Sequence, residues 1–219
     1  MSDRVAGILA DSFMRILVPG FTATIPLALI SFAIALIVAT ATALVQYARV
    51  PVLRHVARFY IWIVRGTPLL VQLYVVFYGL PDFGFIIDPS PAAVIVFSVN
   101  TGAYSAEGVP AGQLEAGYCV GMTYGQVMRR IVLPQALRTA FPPLSNELIA
   151  LVKDTSLAAN ITVLEMLMAT QRIVSRTYEA LPLYLEVAVI YLMFSTVLTW
   201  LQRAGERRLA AAGMVREAV

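Results

Sequence analysis

Residues 21–47 read FTATIPLALISFAIALIVATATALVQY. No acidic or basic residue lies between Arg15 and Arg49. The apolar part of that interval, Phe21 to Tyr47, is longer than the roughly 20 helical residues that cross a bilayer core. It starts too far from Met1, and runs too long, for a cleaved signal peptide. Around it the composition agrees. Of 219 residues, 59% are hydrophobic and 13% charged, against about 25% charged in a soluble domain. The chain reads as an all-α membrane protein.

Working outward from this stretch, four further apolar segments appear. They are about Phe59–Leu80, Pro91 toward Glu107, Ala136–Leu151 and Leu183–Gln202, making five spans in all. Gly79-Leu80-Pro81-Asp82 is a strong stop for the second. Neither a repeat nor a separate soluble domain interrupts the chain, so residues 1–219 are expected to form one transmembrane domain. The third span is short. Pro91 to Ala106 is 16 uncharged residues, about 24 Å of helix against a core of about 30 Å. Gly108, Pro110 and Gly112 then follow, all poor helix formers. A distorted or broken helix is expected there.

The basic residues fix an expected orientation. With the amino terminus outside, the inner segments hold Arg49, Arg54, Arg58, Arg65, Arg129, Arg130, Arg138, Arg203, Arg207, Arg208 and Arg216. The outer segments keep only Arg4, Arg15, Arg172 and Arg176. The carboxyl terminus is then cytoplasmic. The net charge of +3 reflects these flanks and forms no patch interleaved with aromatics, so no nucleic-acid partner is expected. Cys119 is the only cysteine, which excludes an intramolecular disulfide.

Between spans three and four lies a polar segment, about residues 112–134. Thr123 and Gln126 form a capping box that starts a short helix at Tyr124. Pro134 disfavours helical geometry at Leu133, and Gly121 supplies a turn. Glu115, Ala116, Gly121, Ile131, Leu133 and Pro134 stand at the spacing Glu-Ala-Ala, three residues, Gly, nine residues, Ile-x-Leu-Pro. This resembles the coupling-loop signature of ABC importer permeases. Gly117 departs from it, standing where the family usually has alanine.

Other stretches resemble the polar-amino-acid branch of that family. They are Arg65-Gly66-Thr67-Pro68 through Leu73, Asn100 through Tyr104, Pro142 through Asn146, and Leu151 through Leu157. The resemblance covers roughly residues 20–205, and the wording around Gly79–Gly84 and Asp88-Pro89 is most similar to cystine permeases. Family members carry about seven more residues between Glu107 and Gly112, which coincides with the short third span. The resemblance implies a type I importer fold, with Glu115, Ala116, Gly117 and Gly121 meeting an ATPase subunit. It also implies a second permease subunit, identical or sister, two ATP-binding subunits, an extracytoplasmic solute-binding protein, and residence in the bacterial inner membrane. ATP and Mg²⁺ would be held by the ATPase partner, leaving this chain without a cofactor.

Candidate path residues follow from polar groups inside apolar segments. Lys153, the only lysine, lies 15 residues beyond Arg138, about 22 Å along a helix, where a charge normally faces a bundle interior or a wet cavity. Asp154, Thr155 and Ser156 extend that patch. A structural ion pair and a solute-facing wall both fit it. Asn100 and Tyr104, four apart, share a helix face. They suit either solute contact or interhelical hydrogen bonding, as do Ser145 and Asn146. Arg65 reads as an interfacial anchor beside Arg54 and Arg58. His55 lacks metal-ligand spacing, and Glu186 reads as solvated or paired.

A phosphate loop needs Gly-x-x-x-x-Gly-Lys-Ser/Thr, but Lys153 follows Val152 and precedes Asp154. Neither a Gly-x-Ser-x-Gly elbow nor a His-Glu-x-x-His motif is present. The chain is not expected to be an enzyme by itself. The other classes open to such a sequence are an ion-gradient-driven transporter or channel, which an interior Lys153–Asp154 pair would suit, and a membrane scaffold.

Overall fold

The computed structural model describes residues 3–47, 51–106, 123 and 133–217. All regular structure among them is helical. Helix α1 (Asp3–Pro19) passes through a π-helical turn (Gly20–Thr24) into α2 (Ile25–Tyr47). The result is one apolar helix of 44 residues, Asp3–Gln46, so the first span begins well before the expected Phe21. Pro19 and Pro26 flank the π turn. Proline lacks an N–H and crowds the preceding turn, and a widened turn accommodates both. A Cβ at Gly20 would stand 2.8 Å from Met166 Sδ and from a Phe194 ring carbon. Glycine there lets two later helices close on the turn.

The second apolar segment is not one helix. Helix α3 (Pro51–Gly66) and helix α4 (Leu69–Tyr74), which continues through π and 3₁₀ turns to Phe83, meet at 105°. The physical cause is local. Pro68 is extended (φ −62°, ψ 137°) and cannot donate to the preceding turn, and proline disfavours helical geometry at Thr67. Gln72 satisfies the carbonyls left open. Its Nε2 donates to Val64 O (2.7 Å), Thr67 O (3.0 Å) and Thr67 Oγ1 (2.9 Å).

Helix α5 (Pro89–Ser105) lies alongside α2, and the seam is made of small residues. Ser98 Oγ donates to Ser31 O at 3.1 Å, and a Cβ on Gly102 would sit 2.8 Å from Val38 Cγ1. Small side chains let helix backbones approach where lipid supplies no hydrophobic drive. The 17 residues of α5 amount to about 25 Å, as short as expected. The distortion expected at Gly108–Gly112 lies outside the described residues.

Helix α6 (Leu133–Asp154) carries Pro134 in its first turn, where proline is tolerated, and Pro142 and Pro143 inside it. A 3₁₀ stretch (Thr155–Ile161) extends it, and the combined helix bends by 49° into α7 (Met166–Thr177). Thr162 makes that break with a left-handed backbone (φ 67°). Helix α8 (Ala180–Glu217) closes the chain. Two helices are long and apolar enough to cross a membrane unbroken, Asp3–Gln46 and Ala180–Leu209, and up to four if each bent pair counts once. The five expected apolar segments are therefore helical, but only the first and last are unbroken spans.

The larger core gathers Leu27 and Ala28 of α2, Leu73 of α4, Phe97 of α5 and Leu151 of α6. A second core joins Ile16 of α1 to Met166 of α7 and to Val187 and Ile190 of α8.

Candidate functional site

The Thr67–Pro68 corner opens a cavity. It holds about 570 Å³ and is lined by Arg65 to Leu69 from the corner, by Asn100, Thr101 and Tyr104 from α5, and by Glu147, Ala150, Asp154 and Leu157 from α6 and its 3₁₀ extension. The helical repeat puts these side chains together. Asn100 and Tyr104 are one turn apart on α5, and Glu147, Ala150 and Asp154 are three and four apart on α6.

The polar groups are positioned by hydrogen bonds and stacking. Asn100 Nδ2 donates to Gln72 Oε1 at 3.2 Å, tying α5 to the residue that clips the corner. The Arg65 guanidinium stands 5.0 Å from the centre of the Tyr104 ring, within cation–π range. Arg65, expected as an interfacial anchor, is thus part of the cavity wall. Glu147 and Asp154, two turns apart on α6, line the same cavity as the Arg65 guanidinium. A guanidinium and two carboxyl groups thus line a space large enough for a small zwitterion. Among the described residues no group of acidic, His or Cys side chains could hold a metal ion.

Asn100, Tyr104 and Asp154 therefore line the cavity, and the other candidates do not. Asn146 Oδ1 accepts from Gln202 Nε2 of α8 at 3.1 Å, the interhelical alternative. Ser145 and Ser156 are half-buried outside the lining. Thr155 is fully buried and donates to Val152 O at 2.7 Å. Lys153 corrects an expectation. It is exposed on this chain rather than turned into the bundle, because adjacent helical positions lie about 100° apart and Asp154 takes the inward one. Glu115, Ala116, Gly117 and Gly121 lie outside the described residues.

Two carboxylates escaped the sequence reading. Glu147 was legible in principle, since it stands seven residues before Asp154 on the same face of an apolar helix. Glu165 gave little signal. It is fully buried at the start of α7, where Oε1 accepts from the Met168 amide (2.7 Å) and Oε2 from the Tyr191 hydroxyl of α8 (2.6 Å). Glu186, expected to be solvated or paired, accepts from Ser12 Oγ of α1.

The described residues thus form bent and straight apolar helices around a cavity lined by charged and polar side chains. Residues 31–211 match the model of the binding-protein-dependent transport system inner membrane components, and the chain belongs to that family. Members are permease components rather than the enzymes of their systems. It is 45% identical to the L-cystine transport system permease protein TcyB of Bacillus subtilis (strain 168) over 210 residues, covering 92% of this chain and 90% of that one. The glutamine transport system permease protein GlnP of Escherichia coli (strain K12) is 39% identical over 164 residues, 71% of this chain and 75% of that one. The crystal structure of an amino acid ABC transporter with histidines superposes with a TM-score of 0.84 at 30% identity, covering 91% of this chain and 96% of that one. The inward-facing MetNI methionine ABC transporter shares the fold, with a TM-score of 0.64 at 18% identity over 95% of this chain and 99% of that one.

Proposed function

We propose that this chain is the permease subunit of an ATP-driven amino acid importer, with L-cystine as its substrate. The observation that carries the reading is 45% identity to an L-cystine permease along nine-tenths of both chains. The cavity supports it chemically. An amino acid presents an ammonium and a carboxylate, and Glu147 with Asp154 on one wall and Arg65 on the other offer each its counter-charge. Asn100 and Tyr104 supply neutral polar contacts to the same space.

In this reading two permease subunits pair around the path, a solute-binding protein delivers the amino acid from outside, and two ATP-binding subunits dock below. These partners hold ATP and Mg²⁺, and this chain holds no cofactor. The segment around Glu115, Ala116, Gly117 and Gly121 passes the ATPase movement to the spans, a coupling between distinct sites. The amino terminus lies outside and the carboxyl terminus in the cytoplasm, supported by the arginine asymmetry.

The test is uptake by the complete transporter in vesicles. L-cystine should accumulate only with ATP and should continue in the presence of ionophores. Glu115→Lys should abolish solute-stimulated ATP hydrolysis while leaving the chain in the membrane, and a tag after Val219 should report the cytoplasm. Transport that follows an ion gradient without ATP would overturn the mechanism. ATP-driven uptake of another amino acid in place of cystine would overturn only the substrate.

A further inference from the structure

The corner at Pro68 leaves α3 in an unusual position for a helix of this bundle. Helices α2 and α5 pack side by side and run the same way, with Ser31 against Ser98 and Val38 against Gly102. Helix α3 begins beside the end of α2, where Arg54 Nε donates to Gln46 O at 3.2 Å. It ends at the last turn of α5, where Arg65 covers Tyr104, and between them Tyr60 donates to Val99 O. From Val38 to Gln46 is about 12 Å of helical rise, and from Gly102 to Tyr104 about 3 Å. Arg54 and Arg65 therefore differ by about 9 Å along the bundle axis, over the roughly 17 Å of helix that separates them. It runs obliquely to the bundle and meets α4 at 105° instead of continuing it.

Its surface has three sides. Ala57 and Val64 are buried against the bundle. Val52, Val56, Phe59 and Ile63, spaced four, three and four apart, form an apolar side that is 69%, 60%, 60% and 44% exposed. His55, Arg58 and Trp62 form the third edge, all exposed. Trp62 stands at its border with the apolar side, its ring 5.9 Å from that of Phe59. Among the described residues Arg58 has no hydrogen-bond or ion-pair partner. A helix with Arg54, His55 and Arg58 in its first eight residues would be costly to place in the bilayer core. Apolar residues on one side, basic residues on the next and tryptophan between them suit the plane where acyl chains meet headgroups.

We propose that α3 is an interfacial helix that binds anionic lipid headgroups along its His55–Arg58 edge, with Val56, Phe59 and Ile63 seated in the acyl chains. The headgroup supplies the negative charge that Arg58 lacks among the described residues, and the apolar side needs hydrocarbon beside that charge. An acidic protein surface would answer the first requirement but not the second.

The complete transporter, reconstituted with Cys119→Ser, tests the placement. Single cysteines at Val56, Phe59 and Ile63, and then at His55 and Arg58, are spin-labelled, and their exposure to oxygen and to a water-soluble nickel chelate is measured. Labels at 56, 59 and 63 should favour oxygen at shallow depths that change by less than about 1 Å per residue, and labels at 55 and 58 should favour nickel. A depth that increases by about 1.5 Å per residue would mean a spanning helix and would overturn the proposal. Exclusion of both probes at 56, 59 and 63 would mean that a protein covers this side, and would overturn it equally.

The lipid preference is read separately. Transport should be several-fold faster in phosphatidylcholine vesicles containing phosphatidylglycerol than in phosphatidylcholine alone. Arg58→Gln should lose about fivefold of that stimulation and match the unsubstituted protein without the anionic lipid. Equal stimulation of both proteins would remove Arg58, and the headgroup proposal with it.

Discussion

Glu147 and Glu165 are both carboxylates held by the helical bundle, and their surroundings are opposite. Glu165 is fully enclosed, and each of its oxygens has a partner, the Met168 amide on one side and the Tyr191 hydroxyl on the other. It closes the start of α7 and ties that helix to α8. Glu147 is half-buried, faces a cavity, and shares it with a second carboxylate and a guanidinium. A buried polar group whose bonds are complete serves the fold, because removing any partner strands another. A carboxyl group that faces a cavity can still meet something that enters. Burial alone would rank Glu165 as the functional residue, and the hydrogen-bond account reverses that order.

The largest expected effect falls on the closed site. Glu165→Ala strands the Tyr191 hydroxyl and the Met168 amide and should destabilise the chain by about 3 kcal/mol, read as lost thermal stability in detergent. Transport per correctly folded molecule should change much less. A stable variant with failed transport would move Glu165 into the path and erase the contrast. Glu147→Gln should do the reverse, lowering transport by about tenfold or more, roughly 1.4 kcal/mol, with an unchanged melting curve. Its effect should appear as weakened solute stimulation of ATP hydrolysis at low substrate.

Tyr191→Phe sharpens the first result. It removes one hydrogen bond to Glu165 and keeps the N-terminal cap of α7, so a loss of about 1 kcal/mol is expected, clearly less than for Glu165→Ala. Equal losses would assign the whole effect to the contact between α7 and α8. Lys153→Met should do least. Its side chain is exposed on this chain, so stability should shift by under about 0.5 kcal/mol. A larger loss of assembly would place Lys153 against a neighbouring subunit.

The cavity was partly legible beforehand. Asn100 and Tyr104 share a face by spacing alone, and Asp154 stood out as a charge in an apolar segment. Arg65 did not stand out, because the arginines before it made it look like one more interfacial residue. Only the corner at Pro68, clipped by Gln72, turns it toward Tyr104. Ser145, Asn146 and Lys153 were equally polar and equally deep in the sequence, yet they point elsewhere.

By itself the sequence determined what depends on composition along one segment: which stretches are apolar enough to meet lipid, where the chain must be polar, and the spaced Glu115-to-Pro134 pattern. Hydrophobic length is a local property, so it survives without knowledge of neighbours. Tertiary structure decided which apolar segments remain straight, that residues 3–20 extend the first one, and that α3 and α4 meet at 105°. It also decided which polar residue meets a partner and which meets a void. The helical repeat fixes a side chain's angle about its own axis, but the rotation of that axis against other helices is set by packing at places such as Gly102 and Gly20, where a single methyl group would be too close.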